Sequence, residues 1–140
     1  MAIEIKTTWK GNMQFESTNP GGSLMIDAGI DNDDMGYRPK ALMLSSLAGC
    51  SGLDIVSLLK KMRAEAENFE IDIYANLTDE HPKYFDKVHV SYKFYGNDFK
   101  KDKIEKAVNL SEVRYCGVME MFRQFAVVTT EIIYIESSEK

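Results

Sequence analysis

The sequence predicts an α+β fold: mostly antiparallel sheets with a long buried central helix. Three observations predict it. Short segments of period-two alternation lie on both sides of residue 40. One apolar run, Leu42 to Leu59, is too long for a strand and apolar on nearly every face. The strands also come in groups separated by helices, not in strict strand–helix alternation.

The elements follow in order. IEIKTTW (3–9) and NMQFES (12–17) alternate, with a Gly11-Asn12 turn signal between them. NPGG (19–22) turns the chain into a third strand, SLMIDAG. The acidic DNDDMG (31–36) reads as a solvated loop, because it lacks the spaced ligands of a calcium loop. Pro39 suits the first turn of a helix that continues to Met62, with Lys60, Lys61 and Arg63 at its C-terminal end. FEIDIYANLT (69–78) and KVHVSYKFYG (87–96) alternate cleanly, so each has one wet face. An amphipathic helix over 98–113, a short helix from Ser111 through YCGVMEMFRQF, and a β-branched strand AVVTTEIIYIE complete the chain. A helix apolar all round is hard to cover in a chain this short, so a second subunit is expected.

Its 140 residues fit one domain, 1–140, with a single core. Hydrophobic residues at 44% against 28% charged are the balance of a globular chain, not a disordered one. A net charge of −5 argues against nucleic acid as a partner, and no polybasic run offers a hold on an anionic membrane. The N-terminus lacks the apolar core of a secretory signal. The uncharged stretch Ala41–Leu53, ended by Asp54, is short for a membrane span. The expected location is the cytoplasm, where two cysteines distant in sequence are free thiols or a redox pair.

Those cysteines share a local pattern. Cys50 (AGCSG) and Cys116 (YCGVM) each adjoin glycine within a predicted helix, and each has an acid four residues on, Asp54 and Glu120. The glycines either admit a second group close to the thiol or serve tight helix packing, and both readings stay open. A neighbouring carboxylate opposes the thiolate, so activation needs a cation. Arg38 opens the helix roughly 18 Å along its axis from Cys50, out of reach in its own chain if the helix is straight. Arg114 and Arg123 flank Cys116 as alternatives. A zinc set of Cys50, Cys116, His81 and His89 has no supporting ligand spacing, so no metal is expected.

The segments YRPKALMLSSLAGCSGLDIV, SEVRYCGVMEMF and FEIDIYANLTDEHPKYFDKVHVSYKFYG resemble the OsmC/Ohr family of osmotically inducible and organic-hydroperoxide-resistance proteins. The resemblance spans nearly the whole chain in order. It implies an intertwined α+β homodimer with two active sites at the subunit interface, each using two cysteines and no cofactor. By position Cys50 is the peroxidatic residue, which attacks the organic hydroperoxide and becomes a sulfenic acid. Cys116 is the resolving one, and a dithiol reductant regenerates the pair. The chain departs from the pattern where the family's peroxidases carry a glutamate after the helix-opening proline, paired with an N-terminal arginine. RPKAL has Lys40 and Ala41 there, and no arginine precedes Arg38. The resemblance therefore implies a divergent branch. Its two readings are a peroxidase using Cys50, Cys116 and Arg38, and a weak or inactive stress-associated dimer whose cysteines are structural.

Overall fold

The computed structural model describes residues 1–28 and 36–136. The acidic stretch read as a solvated loop lies, apart from Gly36, outside them. The chain forms two compact units, Met1–Ser45 and Ser46–Lys140.

The first unit is an antiparallel meander of β1 (Lys6–Gly11), β2 (Gln14–Asn19) and β3 (Gly22–Asp27). Gly11 and Asn12 turn the chain with φ of 102° and 49°, values that favour exactly these two residue types. Trp9, Phe15 and Ile26 stand opposite one another in an apolar row across the three strands. After β3, Tyr37 returns parallel to the strand, exchanging backbone bonds of 2.9 Å with Met25 and Asp27. Gly36 allows this approach, because a Cβ there would sit 2.7 Å from the Met25 carbonyl oxygen.

Helix α1 (Pro39–Lys61) begins at the proline, as the sequence predicts, and runs into the second unit. By length and composition alone it could cross a membrane. Its buried stripe of Leu47, Ser51, Ile55 and Leu59 marks it instead as a helix packed on a sheet. Within this chain that stripe is narrower than expected. Leu53 and Val56 on the other side are exposed, so α1 has two apolar faces and the described residues cover one. At its C-terminus Lys100 Nζ and Lys103 Nζ donate to the Arg63 and Met62 carbonyls at 2.8 and 2.9 Å, where cations suit the helix dipole.

The second unit's sheet comprises β4 (Asn68–Leu77), β5 (Phe85–Gly96) and β6 (Val127–Glu136). Register pairs Phe69 with Phe94, Ile71 with Tyr92, Ile73 with Val90 and Ala75 with Val88, so the alternation read from both strands falls on one core face. Between β5 and β6 lie α2 (Lys101–Leu110), a π-helical turn at Ser111–Tyr115, and α3 (Gly117–Arg123). This helical crossover lets β6 pair with β5 in parallel, Val88 opposite Val128 and Tyr92 opposite Ile132. Ile104, Ala107, Val108, Met119 and Phe122 join Val88, Val90, Tyr92 and Phe94 in the core. The α+β class and the mostly antiparallel pairing agree with the sequence. The strands fall into two separate three-stranded sheets, and the parallel β6 is a pairing that local alternation does not encode.

Candidate active site

Cys50 lies inside α1, one position before the buried stripe, and is half-buried. Cys116 reaches it from the crossover. The π-helical turn closes with the Cys116 N–H donating to the Ser111 carbonyl at 2.8 Å, and the chain then breaks into an extended conformation at Cys116, φ −80° and ψ 98°. Cys116 is thus the N-cap of α3, not an interior helical residue as its apolar surroundings suggest. Its sulfur takes the role of a capping oxygen, accepting the Met119 N–H at 3.4 Å. The break separates two helical stretches and aims the thiol at α1.

The result is a cluster. The Sγ atoms of Cys50 and Cys116 and a carboxylate oxygen of Asp54 lie within 4.8 Å of one another. Cys116 is 4% exposed. Burial pushes its thiol up from 9.0 to about 11; the Met119 N–H opposes this, while the hydrogen bond and charge of Cys50 and the charge of Asp54 add to it. Cys116 is therefore a neutral S–H at physiological pH, facing the more accessible sulfur of Cys50.

A buried hydroxyl chain stands behind the cluster. Ser51 Oγ shares hydrogen bonds with Tyr92 OH at 2.7 Å and Ser111 Oγ at 3.0 Å, and Ser111 Oγ donates to Asp54 Oδ2 at 3.1 Å. Both serines are fully buried. Burial also raises Tyr92 to about 12, so its hydroxyl stays neutral. Three elements (α1, β5 and the π-helical turn) are thereby tied together beside the thiols. Sequence reading misses Ser51, Ser111 and Tyr92. The available signal is a serine in the middle of an apolar helix, whose hydroxyl must find a partner once buried.

The other expected residues are placed as follows. Glu120 pairs with Arg123 on the surface and not with a thiol. Arg123 also donates to the Glu112 carbonyl, and the Arg114 guanidinium lies 5.6 Å from the centre of the Tyr115 ring. Arg38 stands in the first unit, where Nη1 donates to the Gly36 carbonyl at 3.2 Å. His89 points from the face of β5 opposite Tyr92 and bonds Thr129 and Glu131, so it does not join the cysteines. Of the glycines, a Cβ at Gly49 or Gly117 would meet nothing within 4 Å among the described residues. At Gly52 it would meet Ile71 Cδ1 at 3.1 Å. Within one chain, then, close approach occurs at Gly52, against the sheet, and not at the thiol.

The family model described as OsmC-like protein matches residues 31–131. The chain is 25% identical over 127 residues to protein YhfA of Escherichia coli K12, covering 91% of this chain and 94% of that one. Its fold is similar to the crystal structure of an OsmC-like protein from Mycoplasma pneumoniae, with a TM-score of 0.81 at 11% identity over 96% of this chain and 98% of that one. It is also similar to the organic hydroperoxide resistance protein OhrB of Bacillus subtilis, with a TM-score of 0.64 at 18% identity over 94% and 98%. The match to the family model covers more than half of the chain, including both cysteines: the protein belongs to the OsmC-like family.

Proposed function

We propose that the protein is a thiol-dependent peroxidase that reduces organic hydroperoxides through Cys50 and Cys116. The observation that carries this reading is the pair of sulfurs, within 4.8 Å of each other, one half-buried and the other enclosed and neutral. The name of the OhrB neighbour adds organic hydroperoxide as the substrate class.

In the first step the Cys50 thiolate attacks the outer peroxide oxygen. The O–O bond breaks, the alkoxide leaves and takes a proton to become the alcohol, and Cys50 becomes a sulfenic acid. Cys116 then attacks the Cys50 sulfur. Hydroxide leaves and is protonated by the Cys116 proton, so water and a disulfide result. A disulfide requires Cα atoms within about 7 Å and sulfurs at about 2 Å, so the two sulfurs must draw together for the bond to form. A dithiol reductant returns both thiols by exchange. Such a reductant calls for a reducing compartment, and the cytoplasm is the location this reading proposes.

The same reading makes the protein a homodimer. Leu53 (76% exposed) and Val56 line a face of α1 that the described residues leave uncovered, an apolar surface suited to a second copy of the chain; in the first unit Trp9 (63% exposed) and Phe15 are exposed as well. Arg38 then serves the Cys50 of the neighbouring subunit, because a continuous α1 holds it far from its own. Free-thiol titration before and after one equivalent of cumene hydroperoxide tests the function. Loss of both thiols with an intramolecular disulfide is expected. Retention of both is the result for cysteines that only fill space, and it overturns the proposal.

A further inference from the structure

The cluster of Cys50, Cys116 and Asp54 has a second chemical capacity. Two sulfurs from different elements and one carboxylate oxygen converge within 4.8 Å. A tetrahedral zinc ion holds thiolates at about 2.3 Å and carboxylate oxygen at about 2.0–2.2 Å, which sets neighbouring donors roughly 3.5–3.8 Å apart. Moving from the present arrangement to that one takes a side-chain adjustment of about an ångström or less.

Asp54 has no evident place in thiol oxidation, since its charge opposes a thiolate. As a metal ligand its charge is favourable. Ser111 Oγ donates to Asp54 Oδ2 at 3.1 Å, and Ser111 is itself held by Ser51, which is held by Tyr92. A carboxylate oriented by a buried hydroxyl chain is the outer-shell arrangement that fixes metal ligands. The half-buried side of Cys50 leaves a fourth position for water or an external ligand.

We infer that the reduced protein binds one zinc ion per chain through Cys50 Sγ, Cys116 Sγ and a carboxylate oxygen of Asp54, with the fourth position open. Binding releases the thiol protons; the two thiolates neutralise the dication, and the carboxylate leaves the site with one net negative charge. A disulfide between the same sulfurs removes both donors, so the metal belongs to the reduced state and competes with oxidation. The site shares its cysteines with the peroxidase reading but does not depend on it.

The test uses reduced, metal-stripped protein under anaerobic conditions with no peroxide present. Cobalt(II) is the optical probe, and zinc is measured by competition against a chromophoric chelator. One cobalt per chain with a thiolate-to-metal charge-transfer band, displaced by one zinc, is expected. Cys116→Ser and Cys50→Ser should each weaken zinc at least a hundredfold and diminish the band. Asp54→Asn, which preserves shape, should weaken it by about 10–100-fold, and Ser111→Ala by about tenfold, as for outer-shell partners. Absence of the band in the wild-type protein overturns the inference without reference to any variant. So does wild-type affinity in Asp54→Asn or in either serine variant. Hydroperoxide-driven disulfide formation is read separately by thiol titration, so failure of the peroxidase reading and failure of the metal site are distinguishable.

Discussion

Cys50 and Cys116 are the same chemical group in different surroundings, and at the residue scale the proposed roles rest on that difference. The half-buried sulfur can meet a substrate, while the enclosed one keeps its proton. The pKa of Cys116 gives a stability prediction for the metal-free protein. Below the thiol's ordinary value of 9.0, folded and unfolded chains are both protonated and the full contribution is present. Between 9.0 and about 11 the unfolded chain loses its proton and the folded chain keeps it, so stability falls as pH rises. The slope is about 1.4 kcal/mol per pH unit at most. Tyr92 adds a second loss between 10.0 and about 12. Chemical denaturation in the presence of a chelator should show stability declining from about pH 9 in the wild type and from about pH 10 in Cys116→Ser. An unchanged onset would refute the assignment. At this scale the thiols and Asp54 are legible in the sequence because their chemistry is rare in an apolar helix. Ser51, Ser111 and Tyr92 are not, because the groups that bury each hydroxyl lie 41 and 60 residues away from Ser51.

Helix α1 and the π-helical turn carry the element scale. The boundaries of α1 are readable from Pro39 and the apolar run, but the run cannot say which face its own chain covers. In the proposed dimer the face bearing Leu53 meets the partner, so Leu53→Asp should shift the protein to monomer in sedimentation while far-UV circular dichroism is retained. A dimer as stable as the wild type would exclude this face. The crossover was harder to read. Apolar residues continue from Ile104 to Phe122 at nearly helical spacing, which hides the break at Cys116. The turn's extra residue per helical repeat sets the direction of the thiol. Deleting the exposed Val113 restores α-helical spacing and rotates Cys116 by about 100° relative to α2. Peroxide should then oxidise Cys50 to a dimedone-reactive sulfenic acid without forming the Cys50–Cys116 disulfide. Disulfide formation at the wild-type rate would show that the turn does not aim the sulfur.

For the whole molecule, grouped strands and helices were enough to identify the α+β class, whereas the division into two sheets and the parallel β6 were not. Strand pairing is a long-range choice, and β6 alternates too loosely to announce its neighbour. The proposed assembly gives a test of its own. A mixed dimer of Arg38→Ala and Cys50→Ser chains should keep about half the wild-type turnover, since one of its two sites combines an intact arginine with an intact cysteine. A mixed dimer with no activity would refute the crossed arrangement. The path of the chain between the two cysteines has a further consequence. Cys50 and Cys116 bracket β4, β5, α2 and the π-helical turn, which make up most of the second unit. Joining them would close a covalent ring of roughly 65 residues, a constraint on the unfolded chain of about 4 kcal/mol. Each catalytic cycle would therefore tie and untie most of that unit. The oxidised protein should melt about 10 °C above the reduced one, measured by calorimetry on both forms, and equal melting temperatures would mean the ring does not close. A melting curve would then report how much of the enzyme population is waiting for its reductant.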